Sequence, residues 1–182
     1  MSNFFKKYGI VLKFVTKFLV IYFVGNLVYS LYISYYYPDA DPLTVEVARQ
    51  LSKLLNIYYD QTSLRIRPER PFVGLLLNDQ EKLNLFEGCN GLNVAIVFFS
   101  FLLAYGPVNR SLLIFSIAGL ILIHLSNLLR LSLLFWVAIE LPHHFFFMHK
   151  YFFTLVIYLI VFMLWFVWIY RFRFGTDKYA AR

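Results

Sequence analysis

One thiol, one guanidinium and one imidazole carry the chemistry that this sequence offers. Cys89 is the only cysteine, so it has no partner for an internal disulfide. It stands in Glu87-Gly88-Cys89-Asn90-Gly91, at the start of an apolar helical run. Free N–H groups and the positive dipole end of a helix favour a thiolate there. The flanking glycines permit a tight turn and close approach of a substrate backbone, and Asn90 is placed to cap the helix. Arg130 keeps its proton and can hold a thiolate or an oxyanion. His149 can take the thiol proton and later protonate a leaving amine. Asn127, three residues before Arg130 on one helical face, is placed to orient the guanidinium or bind substrate backbone. Each residue also has a plainer use: a buried thiol as a small hydrophobe, a snorkelling arginine, a histidine in an interfacial belt.

The elements that must position these groups are read from composition and hydropathy. The 182 residues suffice for a single domain over 1–182, 60% of them are hydrophobic, with 21 Phe and 14 Tyr, and 15% are charged. A water-soluble domain of this size cannot hide so much apolar surface, and apolar runs near the ~20-residue spanning length recur. The expected fold class is an all-α polytopic membrane protein with about four transmembrane helices, an interfacial helix and a 50-residue extracytoplasmic loop. The spans are placed at about residues 14–36, 90–105, 112–129 and 150–170. The first reads as an uncleaved signal anchor, because it is long and has no small-residue cleavage site. Apolar patterning continues over residues 111–141, some 46 Å as one helix, so that helix either protrudes from the membrane or breaks near Arg130. Pro142 stops it.

The polar segment, residues 38–88, holds eight acids and six bases, a net charge of −2 against +9 for the remainder. Val47, Leu51, Leu54 and Leu55 recur at helical spacing and suit a helix lying on the membrane surface. Short β-like runs at 64–66 and 73–77, followed by the turn signal Asn78-Asp79, allow a small hairpin. The net charge of +7 does not indicate nucleic-acid binding, because the bases gather at the ends: Lys6, Lys7, Lys13 and Lys17, then Arg171, Arg173, Lys178 and Arg182 against Asp177. That is the positive-inside pattern, with both termini and the Gly106-Pro107 turn with Arg110 on the cytoplasmic side. Alternating span direction then brings Cys89, Arg130 and His149 to one level at the extracytoplasmic interface. His143 and His144 lie close enough in sequence to His149 to compete for its role. His124, about six residues deeper than Arg130, suits an interhelical hydrogen bond.

Cys89-Asn90-Gly91 after Glu87, then Asn127-Leu128-Leu129-Arg130, then a histidine opening the last helix, resembles the exosortase/archaeosortase family, most of all its exosortase F type. The resemblance covers about residues 85–170. It departs from better-known members at Asn90, where they carry Ser or Ala, and after His149, where they tend to carry an acidic residue and then Gly. The resemblance implies a membrane-embedded cysteine protease and transpeptidase of the bacterial inner membrane, multi-pass and without cofactor or metal. Its catalytic residues are Cys89, Arg130 and His149, with Asn127, Asn90 and Gly91 binding or orienting substrate. Its partners, besides the lipid bilayer, are exported proteins ending in a short motif, a transmembrane helix and a basic tail, cleaved through a thioacyl-enzyme and passed to an amine acceptor or to water. The rival readings are a non-catalytic scaffold or assembly subunit of a surface system, and a small transporter. The transporter is disfavoured because the charges cluster at the faces of the membrane.

Overall fold

The computed structural model describes the main chain of residues 2–180 and the side chains of residues 8–171. Of the expected terminal charges, the side chains of Lys6, Lys7, Arg173, Asp177, Lys178 and Arg182 lie outside the described residues. The elements follow in the order α1 (Ser2–Tyr36), α2 (Pro42–Leu55), β1 (Thr62–Ile66), β2 (Phe72–Leu77), β3 (Gln80–Phe86), α3 (Leu92–Tyr105), α4 (Arg110–Glu140), a single turn α5 (Phe145–Phe147) and α6 (Phe153–Ala180). A 3-10 turn, Glu87–Cys89, joins β3 to α3, and a π turn, Met148–Phe152, joins α5 to α6.

Three apolar stretches are long enough to cross a bilayer: Tyr8–Tyr36, Arg110–Glu140 and Pro142–Arg171, of 29, 31 and 30 residues. The fourth expected span is shorter. α3 has 14 residues, about 21 Å at 1.5 Å per residue, against a hydrocarbon thickness of about 30 Å. α3 runs antiparallel to α1, as the Gly25–Ile96 and Phe14–Phe101 contacts show. It is also antiparallel to α4, with Gly91 at its start against Asn127 and Phe98 further along against Gly119. α6 closes the bundle, with Trp165 stacked on Phe101 at 4.3 Å and Trp168 against Phe115 at 5.0 Å. Val94, Phe98, Leu102, Leu112, Ile123, Ile157, Val161 and Trp168 form this core.

Residues 38–88 fold into a cap on one end of the bundle, which corrects the all-α expectation. β1, β2 and β3 form an antiparallel sheet in that order, with β3 on one edge. Asn78 and Asp79, at φ 51° and 63°, make the two-residue turn between β2 and β3. This is the left-handed conformation that such hairpins need and that Asn and Asp tolerate. α2 starts where Asp41 Oδ1 accepts the Thr44 N–H at 3.0 Å with Pro42 in the first turn, a strong start signal. Its apolar stripe does not face lipid. Val47, Ala48, Leu51 and Leu55 are buried with Val73, Leu75, Leu83 and Leu85 of the sheet and with Leu131, Leu134 and Phe135 of α4. A three-stranded sheet needs such a cover to be stable.

α4 is one unbroken helix, capped by Asn109 Oδ1 on the Leu112 N–H at 2.9 Å. At about 46 Å it is longer than the bilayer core is thick, and from Leu131 onward one face of it, with Leu131, Leu134, Phe135 and Val137, is buried in the cap core. Of the two alternatives, an unbroken helix or a break near Arg130, the helix is unbroken, because that end has an apolar partner. The last helical stretch begins earlier than expected, at Pro142.

Close helix approach sets one sharp constraint. A Cβ on Gly119 would stand 2.3 Å from Phe98 Cζ, in a side chain with no exposed surface. Gly119→Ala is expected to destabilise the protein by about 1–3 kcal/mol, as overpacking does, and Phe98→Leu in the same chain is expected to recover part of that loss. Thermal unfolding of both variants in detergent checks this.

Candidate active site

The segment leaving β3 must turn into α3 where cap and bundle meet, and each of its polar groups needs a partner there. Gly91 turns the chain at φ +85°, a region that disfavours side chains. A Cβ there would also press on Asn127 at 3.3 Å. Asn127 is fully buried, and its Nδ2 donates to the Cys89 carbonyl at 2.8 Å. Tyr29 of α1 donates its hydroxyl to the Glu87 carbonyl at 2.8 Å. Asn90 Nδ2 donates to Tyr29 Oη at 3.1 Å and to Thr44 Oγ1 at 3.4 Å, and its Oδ1 accepts the Leu92 N–H at 2.9 Å. The Cys89 loop is therefore pinned from α1, α2 and α4 at once.

Cys89 is 9% exposed. Cys89 and His149 line one cavity of about 330 Å³, walled by residues 82–86 of β3, by Leu131 and Leu134 of α4, and by Phe145. The Arg130 guanidinium lies close enough for its charge to act on both the Cys89 sulfur and the His149 ring. Among the described residues Arg130 has no carboxylate partner. Its Nε and the His149 Nδ1 are buried without a hydrogen bond. Unpaired buried polar groups are costly, and these two belong to residues that the Arg130 charge links to each other. His149 sits in the π turn, a backbone irregularity frequent at functional sites, and Thr154 Oγ1 donates to its carbonyl at 3.3 Å.

Several sequence expectations gain or change detail here. Cys89, Arg130 and His149 come together. His143 and His144 are exposed and do not line the cavity, so His149 is the histidine that shares space with the thiol. His124 Nε2 is 2.7 Å from Gln50 Oε1 and ties α4 to α2. Asn127 holds the cysteine's own carbonyl, and its Oδ1 has no partner, so it does not orient the guanidinium. Asn90 reaches the first-turn N–H of α3 from one residue before the N-cap, Gly91. The thiolate expectation needs correction. Cys89 belongs to the 3-10 turn ahead of α3, and burial raises its pKa above the ordinary thiol value, against the Phe86 N–H and Arg130 charge that lower it. Tyr29 and Thr44 were not legible in the sequence, since nothing separates Tyr29 from the belt tyrosines that follow it.

The fold and site define a mostly helical protein with three helices able to cross a membrane, a sheet-containing cap and a thiol cavity at their junction. No family model, no curated protein and no solved structure matches the chain.

Two outcomes test this geometry. Alkylation of Cys89 by a small neutral maleimide is expected to keep accelerating with pH beyond the ordinary thiol pKa of about 8.5, because only the thiolate reacts; a plateau at or below that value would contradict the burial. Asn127→Ala leaves the Cys89 carbonyl without its donor and is expected to cost about 1–3 kcal/mol in thermal unfolding.

Proposed function

We propose that the chain is a membrane-embedded cysteine peptidase of transpeptidase type, resembling the exosortases, which cleaves C-terminal sorting signals of exported proteins. The observation that carries this reading is the shared cavity of Cys89 and His149 beside the unpaired Arg130 guanidinium. A raised thiol pKa calls for a general base at the moment of attack. His149 takes the Sγ proton as sulfur adds to the scissile carbonyl, and Arg130 holds the oxyanion. The C–N bond then breaks, the leaving amine takes the proton from His149, and the acyl group stays on sulfur as a thioester. An acceptor amine or water gives its proton to His149, attacks the thioester and releases the thiol.

The chain passes the bilayer four times in this reading, with the short α3 as one crossing. If α1, α4 and α6 cross, α3 must also carry the chain from the cap to the far end, where α4 begins. Lys13, Lys17, Arg110 and Arg171 all stand at that far end, which the positive-inside bias assigns to the cytoplasm. Both termini then lie inside, and the cap with its cavity faces the outside of a bacterial inner membrane. The scaffold reading leaves the unpaired Arg130 and His149 nitrogens without a purpose.

In a cell expressing an exported protein that ends in motif, helix and basic tail, Cys89→Ala is expected to accumulate the unprocessed form while remaining stably inserted. His149→Ala is expected to slow processing by about 10²–10⁴-fold, and a His143→Ala, His144→Ala double variant to leave it near normal. Normal processing by Cys89→Ala overturns the enzymatic reading. Failure of a membrane-impermeant thiol reagent to reach Cys89 from outside, where a permeant one succeeds, overturns the sidedness.

A further inference from the structure

Residues 82–86 line the Cys89 cavity without interruption. Side chains of a strand alternate between faces, so five consecutive lining residues mean that the strand presents its edge, and main chain, to the space. β3 is an outer strand of its sheet, paired only with β2. The two-residue turn fixes which groups look outward: Leu77 and Gln80 flank it and bond to each other, so on β2 Leu77, Leu75 and Val73 turn their N–H and C=O to β3. N–H and C=O groups of alternate residues point to the same side of an antiparallel strand. Leu83 and Leu85, opposite Leu75 and Val73, therefore bond to β2, and Asn84 turns its N–H and C=O to the cavity. Among the described residues, no hydrogen bond outside the sheet ends on the Asn84 main chain. Asn84 is itself exposed.

We propose that the polypeptide substrate binds as an added β-strand on β3, its main chain paired with the N–H and C=O of Asn84 and its scissile carbonyl carried to Cys89 Sγ. The proposal rests on the peptidase reading above and names how that site selects its substrate. An unpaired edge offers one donor and one acceptor at a fixed two-residue repeat, which matches an extended peptide and neither a helix nor an acyl chain. Recognition through the main chain asks for an unfolded, extended stretch at the cleavage point, whatever its side chains. The cavity, at about 330 Å³, is at the small end of binding pockets and suits a short stretch of such a strand.

The test uses the intact protein in detergent and reads covalent labelling of Cys89 by mass spectrometry. The probes are acetyl-tetraalanyl chloromethyl ketone and the non-peptidic chloroacetamide. With either one an S–C bond forms, chloride leaves, and the thiol proton passes to a base. Wild type is expected to react faster with the peptide reagent. Asn84→Pro removes the outward N–H, at an edge position where proline is tolerated. It is expected to slow the peptide reagent about tenfold, leave chloroacetamide unchanged, and differ from Asn84→Ala, which keeps the wild-type rate. Should Asn84→Pro not fold, N-methylation of the peptide decides on the wild-type protein. Methyl groups at residues of one parity slow labelling, and those at the other parity do not. Equal slowing at both parities, or wild-type labelling of a folded Asn84→Pro, overturns the strand-addition proposal. A peptide reagent no faster than chloroacetamide overturns it as well. The peptidase reading itself falls on the separate result of normal processing by Cys89→Ala.

Discussion

A carbonyl that has left a β-strand and not yet entered a helix must find a donor, and at Cys89 that donor is the fully buried amide of Asn127. Much of the structure depends on this one bond. It crosses from the cap side of the junction to α4, and it sets the height of the sulfur relative to Arg130, three residues further along the same helix. In an apolar surrounding a hydrogen bond is strong and its loss is costly, so cap and bundle are held in register by a contact that neither apolar core provides. The Gly91 turn, Tyr29 on the Glu87 carbonyl and Asn90 on Thr44 complete the same polar seam.

The seam separates two cores of different kinds. The bundle core is aromatic and closely approached, with Phe98 seated against Gly119, the use of small residues that membrane helices favour. The cap core is aliphatic and layered, with α2 over one face of a sheet and the end of α4 inserted beside it. A helix longer than the bilayer is thick joins the two, so the surplus length of α4 is what lets a soluble-type cap stand on a membrane-type bundle. Cys89 lies where these environments meet, dry enough to raise the thiol pKa and on the wall of a cavity.

Much of this was legible in the residues. The apolar runs gave α1, α4 and α6, because an apolar stretch of that length has few other solutions in water or lipid. Asn78-Asp79 marked the hairpin. The sheet as a whole was harder to read: β3 carries Gln80, Glu81, Lys82 and Asn84 among its apolar residues, and its pairing with β2 contains a bulge near Leu76, so alternation is interrupted. The stripe of α2 was legible as amphipathic, but amphipathicity does not say whether lipid or a sheet covers it. Cys89, Arg130 and His149 were singled out by type and depth. The Asn127 bond and the burial of the thiol depend on how far the 3-10 turn carries Cys89 from the start of α3, and no residue pattern announces that distance.

The π turn at Met148–Phe152 has a consequence for how this chain tolerates change in length. An α-helix advances roughly 100° per residue, and a π turn holds one residue more than the α turn it replaces. Downstream, Ile157, Val161 and Trp168 are phased to the bundle; within the turn, His149 is phased to the cavity it shares with Cys89. A single-residue deletion in this turn can preserve one of those phases at the expense of the other, so the imidazole's bearing and the seating of the final helix are inherited together as one unit of length.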